Sequence, residues 1–155
     1  MSPNLNYNAG AGAFRGSMYF YSLAGPGITI PILATDTFVQ IPNGLSARET
    51  FFFALNAAKE LSCQQPGTYL IVWSASLEVN AANQEVEGCI CLNGVAQTFS
   101  AAHMLMATSN RSYAFAGSCI LSLSPNDTIG LMVLNHTAIN DIVVDHLTLS
   151  IVPVK

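Results

Sequence analysis

The sequence predicts an all-β chain: a single-domain antiparallel β-sandwich over residues 17–155, preceded by an extended N-terminal arm at residues 1–16. Three observations predict it. Stretch after stretch alternates apolar and polar side chains with a period of two, which is what a pleated strand with one buried face requires. Clusters of Gly, Pro, Asn and Asp separate these stretches at the short spacing of β-turns. Helical periodicity is almost absent.

The arm, MSPNLNYNAGAGAFRG, is Asn, Ala and Gly with isolated Leu5, Tyr7, Phe14 and Arg15. It has neither period and too little apolar side chain to fold on itself, so those four residues are candidate contacts to a partner. It also lacks the charged lead and continuous apolar run of a secretory signal, so folding in a cytoplasm is expected. In that reducing setting Cys63, Cys89, Cys91 and Cys119 are expected as free, buried small hydrophobes rather than a disulfide framework.

SMYFYSL, DTFVQI, ETFFFAL and KELSCQ read as short strands between turns. A rival helix over ARETFFFALNAAKEL would align Phe51, Leu55 and Ala58, but three adjacent aromatics strain that pattern. The strongest strand is GTYLIVWSASLEV, fed by the Pro66-Gly67 turn, with Tyr69, Ile71, Trp73, Ala75, Leu77 and Val79 on one face.

In CICLNGVAQTF the Asn93-Gly94 pair marks a two-residue hairpin, because primed turns need positive φ at both central positions. Cys89 and Cys91 precede it on one strand face. SYAFAGSCILSL places Tyr113, Phe115, Gly117, Cys119, Leu121 and Leu123 together, and SPND turns the chain into DTIGLMVLN. The last strand, DIVVDHLTLSIVPV, aligns Val143, Asp145, Leu147, Leu149 and Ile151.

Composition constrains the surface. The chain is 51% hydrophobic and 9% charged, where soluble domains carry about 25% charged residues. No apolar run approaches the roughly 18 residues of a membrane span, so the apolar excess belongs in a core or against other subunits. Obligate oligomerisation is expected, and membrane association is not. The five cations, Arg15, Arg48, Lys59, Arg111 and Lys155, are scattered in a chain of net charge −4, which excludes nucleic acid as a partner.

No catalytic constellation stands out. The G-x-S-x-G elbow of a serine hydrolase is missing. Cys89 and Cys91 are spaced too closely for a usual zinc pair, and His103, His136 and His146 are not at ligand spacing. Glu85 and Glu87 share a strand face, a weak cation signal because hard cations need several more oxygens. His136 and His146 read as surface or satisfied side chains. No catalytic, cofactor or metal residue is assigned, and no small-molecule substrate is expected.

The order of features resembles the jelly-roll domains of the tumour necrosis factor and complement globular-head type, in the versions found in tailed-phage structural proteins. The resemblance covers roughly residues 17–153 and rests on PGTYLIVWSASL, the I-C-L-N-G-V turn and LSPNDTIGLMV. It implies jelly-roll topology and a homotrimer about a threefold axis, with Tyr69, Trp73, Tyr113 and Phe115 as axis candidates that share faces with core residues. With the small chain, the low charge and an Ala-, Gly- and Asn-rich arm able to lie across a neighbour, the expected role is a non-enzymatic virion protein assembled in the host cytoplasm: a capsid decoration or cement protein bound to the major capsid protein. The alternative is a receptor-binding head of a tail fibre or spike recognising a glycan or protein. The sequence has no collagen-like stalk or membrane anchor, which sets it apart from secreted relatives of that type.

Overall fold

A computed structural model describes residues 15–21, 27–41 and 45–154, and every regular element in them is a strand. In chain order these are β1 (Arg15–Tyr21), β2 (Ile28–Ile30), β3 (Val39–Gln40), β4 (Ser46–Phe51), β5 (Phe53–Leu55), β6 (Leu61–Cys63), β7 (Gly67–Val79), β8 (Gln84–Leu92), β9 (Val95–Met106), β10 (Tyr113–Leu123), β11 (Thr128–Asn135) and β12 (Ile142–Pro153). The segment 47–61 is therefore β-structure, not the rival helix.

The strands form two antiparallel sheets. One has the order β10-β7-β12-β1-β4 with β2 also on β12; the other has β5-β6-β11-β8-β9 with β3 on β11. From β7 onward every connection crosses between sheets except the β8–β9 hairpin. Crossing at the sandwich ends while pairing antiparallel gives the jelly roll.

The core follows the alternation read in the sequence. Tyr69, Ile71, Trp73, Ala75, Leu77 and Val79 are all buried, as are Phe115, Cys119 and Leu123 on β10 and Ile129, Leu131 and Val133 on β11. Trp73 crosses the sandwich and donates its Nε1–H to the Ser100 carbonyl at 3.2 Å. Two glycines make room for the indole. A Cβ on Gly117 would lie 2.6 Å from Trp73 Nε1, and one on Gly88 would lie 3.0 Å from the far ring edge.

The hairpin behaves as expected, with φ of 51° at Asn93 and 78° at Gly94. Cys89 and Cys91 do share a face, opposite Ile90, and pack with Met132, Phe38, Ala96 and Ala101 in a small second cluster. All four cysteines are buried and free.

Three places depart from the sequence reading, each for a local reason. The expected strand ETFFFAL breaks at Phe52, whose φ of 62° turns the chain out of the first sheet and into the second. The alternation expected for the last strand fails at its start. A register shift between Val144 and His146 buries Ile142 and Val144 and leaves Val143 and Asp145 half-exposed. Finally, TFSAAHMLM belongs to a long strand, β9, whose alternation is hidden by a bulge opposite Gly88–Ile90.

Candidate assembly surface

A sheet buried on one face must leave its other face to solvent or to a partner. On the outer face of the first sheet β7 presents Leu70, Val72, Ser74 and Ser76, β10 presents Ala114, Ala116, Ser118, Ile120 and Ser122, and β12 presents Thr148, Ser150 and Val152. Ser17 and Tyr19 of β1 extend it. None of these residues carries a charge; Glu78 of β7 and His146 of β12, which follow in the same outward rows, bound the uncharged stretch at one end.

The hydroxyls on this face are partly satisfied within it. Ser74 and Thr148, cross-strand partners, hydrogen-bond each other at 2.8 Å, and Thr68 and Ser122 do so at 3.3 Å. Each pair satisfies one of its two hydroxyl donors within the face, which lowers part of the cost of desolvation. Val72, Ile120 and Val152 are 44%, 58% and 40% exposed. Shallow grooves run along Tyr19 and Thr148, and along Ser74, Ala116 and Thr148.

The neighbouring edge of the sandwich, where β9 lies beside β10, carries a second apolar set. Val95, Phe99 and Leu105 are 62%, 67% and 53% exposed. Phe99 sits in the β9 bulge that Ser100 braces: Ile90 N donates to Ser100 Oγ at 2.9 Å, and that hydroxyl donates to the Gln97 carbonyl at 2.7 Å. One face and one edge are thus different surfaces of the same chain, the arrangement that permits head-to-tail association into a closed ring.

The expected arm contacts Leu5, Tyr7 and Phe14 lie outside the described residues, while Arg15 opens β1 opposite Phe51. Of the axis candidates, Tyr69, Trp73 and Phe115 are each 2% exposed and belong to the core. Tyr113 packs against it, its hydroxyl accepting from Thr108 N at 3.0 Å.

Burial disfavours the thiolate form of all four cysteines. Burial, with Glu87 adding to it, pushes Cys89 up to about 12, and burial pushes Cys91 up to about 11. The sequence pairs Glu85 with Glu87 on one strand face but does not join them to His103 or His136. The four meet on the outer side of the second sheet, a convergence set by pairing of β8 with β9 and β11 that no local spacing reveals.

No protein-family model and no curated protein sequence matches the chain. Solved structures do. The Eiger TNF of S. frugiperda superposes with a TM-score of 0.62 at 11% identity, covering 90% of this chain and 92% of that one. Murine APRIL gives 0.57 at 11% identity, covering 90% and 99%. The PRD1 vertex protein P5 gives 0.57 at 10% identity, covering 92% and 98%. At such identities the likeness speaks for the fold, and it covers 90–92% of this chain: the fold is a jelly-roll β-sandwich like that of these structures.

Proposed function

We propose that the chain is a non-enzymatic virion structural protein, a homotrimer that decorates a phage capsid and cements it by bridging subunits of the major capsid protein. The observation that carries this reading is the uncharged stretch of the outer face around Val72, Ile120, Thr148 and Tyr19, with its paired hydroxyls, beside the apolar β9 edge. Packing the edge of one copy on the face of the next buries both surfaces, and three copies is the number the tumour necrosis factor resemblance implies. A likeness to a vertex protein supports a place on a shell.

Attachment is assigned to the end where the arm begins. Arg15 pairs with Phe51, and Phe51 and Phe52 stand edge to face at 4.8 Å, 55% and 36% exposed. The arm and this aromatic pair therefore leave the body at one place. Ordering the arm on a capsid costs backbone entropy that its contacts must exceed. Three arms on one body offset that cost by raising the effective concentration of each after the first has bound.

The receptor-binding reading draws on the opposite end. Leu33 and Ile139 are 87% and 66% exposed on the connections that flank the start of β12, held together by Ile32 N donating to Asp141 Oδ1 at 3.1 Å. Size-exclusion chromatography with light scattering, followed by co-sedimentation with capsids, separates the readings. A trimer that sediments with capsids, and loses that binding when residues 1–14 are deleted, is the expected result. A stable monomer at micromolar concentration contradicts the trimer, and a trimer that does not sediment with capsids but binds host cells, with Leu33→Asp abolishing that binding, favours the receptor-type surface.

A further inference from the structure

The outer side of the second sheet gathers two imidazoles and three carboxylates from four elements. Glu85 and Glu87 project from β8, and His103 is the cross-strand partner of Glu87 on β9. His136 follows β11, its N–H donating to the Glu85 carbonyl at 2.8 Å, and Thr137 Oγ1 accepts from Glu85 N at 2.9 Å. Asp36 reaches in from the β2–β3 connection, held at φ 56° with its N–H donating to the Asn135 carbonyl.

Within this group His136 lies between two acids. Its Nδ1 is 2.6 Å from Asp36 Oδ1 and its Nε2 is 3.1 Å from Glu87 Oε2. A neutral imidazole has one N–H. If Nδ1 donates it to Asp36, the lone pair of Nε2 faces a carboxylate oxygen, and a cation must stand between them. A proton is one such cation, and the Asp36 hydrogen bond holds His136 above its usual range, with burial opposing and Glu87 reinforcing.

The surroundings supply more ligands than a proton uses. The His103 ring stands edge to face with His136 at 5.1 Å, and its Nε2 is 3.9 Å from Glu85 Oε2. The ion-pair partners of these carboxylates among the described residues are histidines, with no Lys or Arg to neutralise them. A 3.1 Å separation of His136 Nε2 and Glu87 Oε2 is close to the edge of a tetrahedron built on zinc bonds of about 2.0 Å, about 3.3 Å.

We propose that Glu87, His103 and His136 form a surface site for a divalent late transition-metal ion of the Zn2+ class, with Asp36 orienting His136 and Glu85 flanking the ion. Mixed imidazole and carboxylate donors suit such ions rather than Ca2+ or Mg2+. A carboxylate on the far nitrogen of a ligating histidine fixes its tautomer and raises its basicity, which is the position of Asp36. Among the described residues no three such groups already converge on one point, and binding of the ion requires the exposed His103 side chain to rotate toward Nε2 of His136. The ion would pin the β2–β3 connection, through Asp36 and His136, to the β8–β9 hairpin.

Calorimetric titration of the untagged 155-residue chain with Zn2+ tests the site, with Co2+ absorption as a second readout of ligand number. One saturable ion per chain is expected. His136→Ala, His103→Ala and Glu87→Gln should each weaken binding at least about tenfold, and Asp36→Asn about tenfold through the lost orienting contact. His146→Ala should leave it unchanged. Far-UV circular dichroism checks folding, and the exposed position of His103 keeps the test open where a change at the more enclosed His136 disturbs the chain. Failure of the wild-type chain to bind one Zn2+ saturably, or binding that His103→Ala and His136→Ala leave intact, overturns the proposal.

Discussion

Asn93 and Asp127 fasten two turns 34 residues apart: Asn93 Nδ2 donates to Asp127 Oδ1 at 2.8 Å. Asn93 makes a second contact between the same two turns, Thr128 N donating to its Oδ1 at 2.8 Å, while Asp127 braces its own turn, Ser124 N donating to its Oδ2 at 2.7 Å. The β8–β9 hairpin and the β10–β11 turn are thereby held at the same end of the sandwich.

A double-mutant cycle with Asn93→Ala and Asp127→Ala should therefore be non-additive. We expect each single change to cost about 1–2 kcal/mol in denaturant unfolding, and the double to cost at least 0.5 kcal/mol less than their sum, within the roughly 0.5–3 kcal/mol seen for coupled pairs. Additive losses would show that the two turns are independent.

Acid should loosen this fastening. The Ser124 amide, and then Asn93, hold the Asp127 carboxyl below its ordinary 3.8. A folded pKa below the unfolded one adds stability above the unfolded value, and that stability disappears as pH falls through the folded value. The denaturant midpoint of the wild type should fall below about pH 4 more steeply than that of Asp127→Asn. The effect is small because the carboxylate is near solvent, and parallel acid limbs would contradict it.

Space around Trp73 makes two glycines unequal to a third. A Cβ on Gly117 would come within 2.4 Å of the Ser100 carbonyl, whereas one on Gly94 meets nothing within 4 Å. Gly117→Ala should cost about 2 kcal/mol or more by overpacking, with loss of the near-ultraviolet indole signal. Gly94→Ala should cost about 1 kcal/mol through its positive φ alone and leave that signal unchanged.

The extent to which these features were legible in the sequence follows how local they are. The β7 core face and the Asn93-Gly94 turn could be read directly, because strand alternation and turn φ are set by adjacent residues. The corner at Phe52 was hidden because nothing in three consecutive phenylalanines says which of them leaves the sheet. The shift at Val144–His146 was hidden because a bulge changes the face without changing composition. His103 and His136 stand 33 positions apart in the chain and meet only through the pairing of β8 with both β9 and β11, so spacing rules for metal ligands could not find them.

The thiols offer a test of the core. With Cys89 and Cys91 pushed up to about 12 and about 11, and all four cysteines buried, iodoacetamide at pH 8 should leave the native chain unmodified and label four sites after denaturation. Rapid labelling of Cys89 or Cys91 in the native protein would mean that the cover supplied by Phe38 opens.

A charge on the uncharged face should separate the subunits without unfolding them. Val72→Lys and Ile120→Lys, both at exposed positions, should convert the proposed trimer to a monomer that keeps its β-type circular dichroism, since surface changes cost a folded domain little. Asn80→Lys, in the β7–β8 connection, should remain trimeric. Dissociation by Asn80→Lys but not by the other two would place the interface elsewhere.

The account as a whole turns on where the protein sits. A cryo-electron microscopy map of particles carrying it should show threefold density at repeating positions on the capsid lattice, with the Phe51–Phe52 end toward the shell and density for the arm continuing across a neighbouring capsid subunit. Density confined to a tail or fibre end, with a bare lattice, would contradict it.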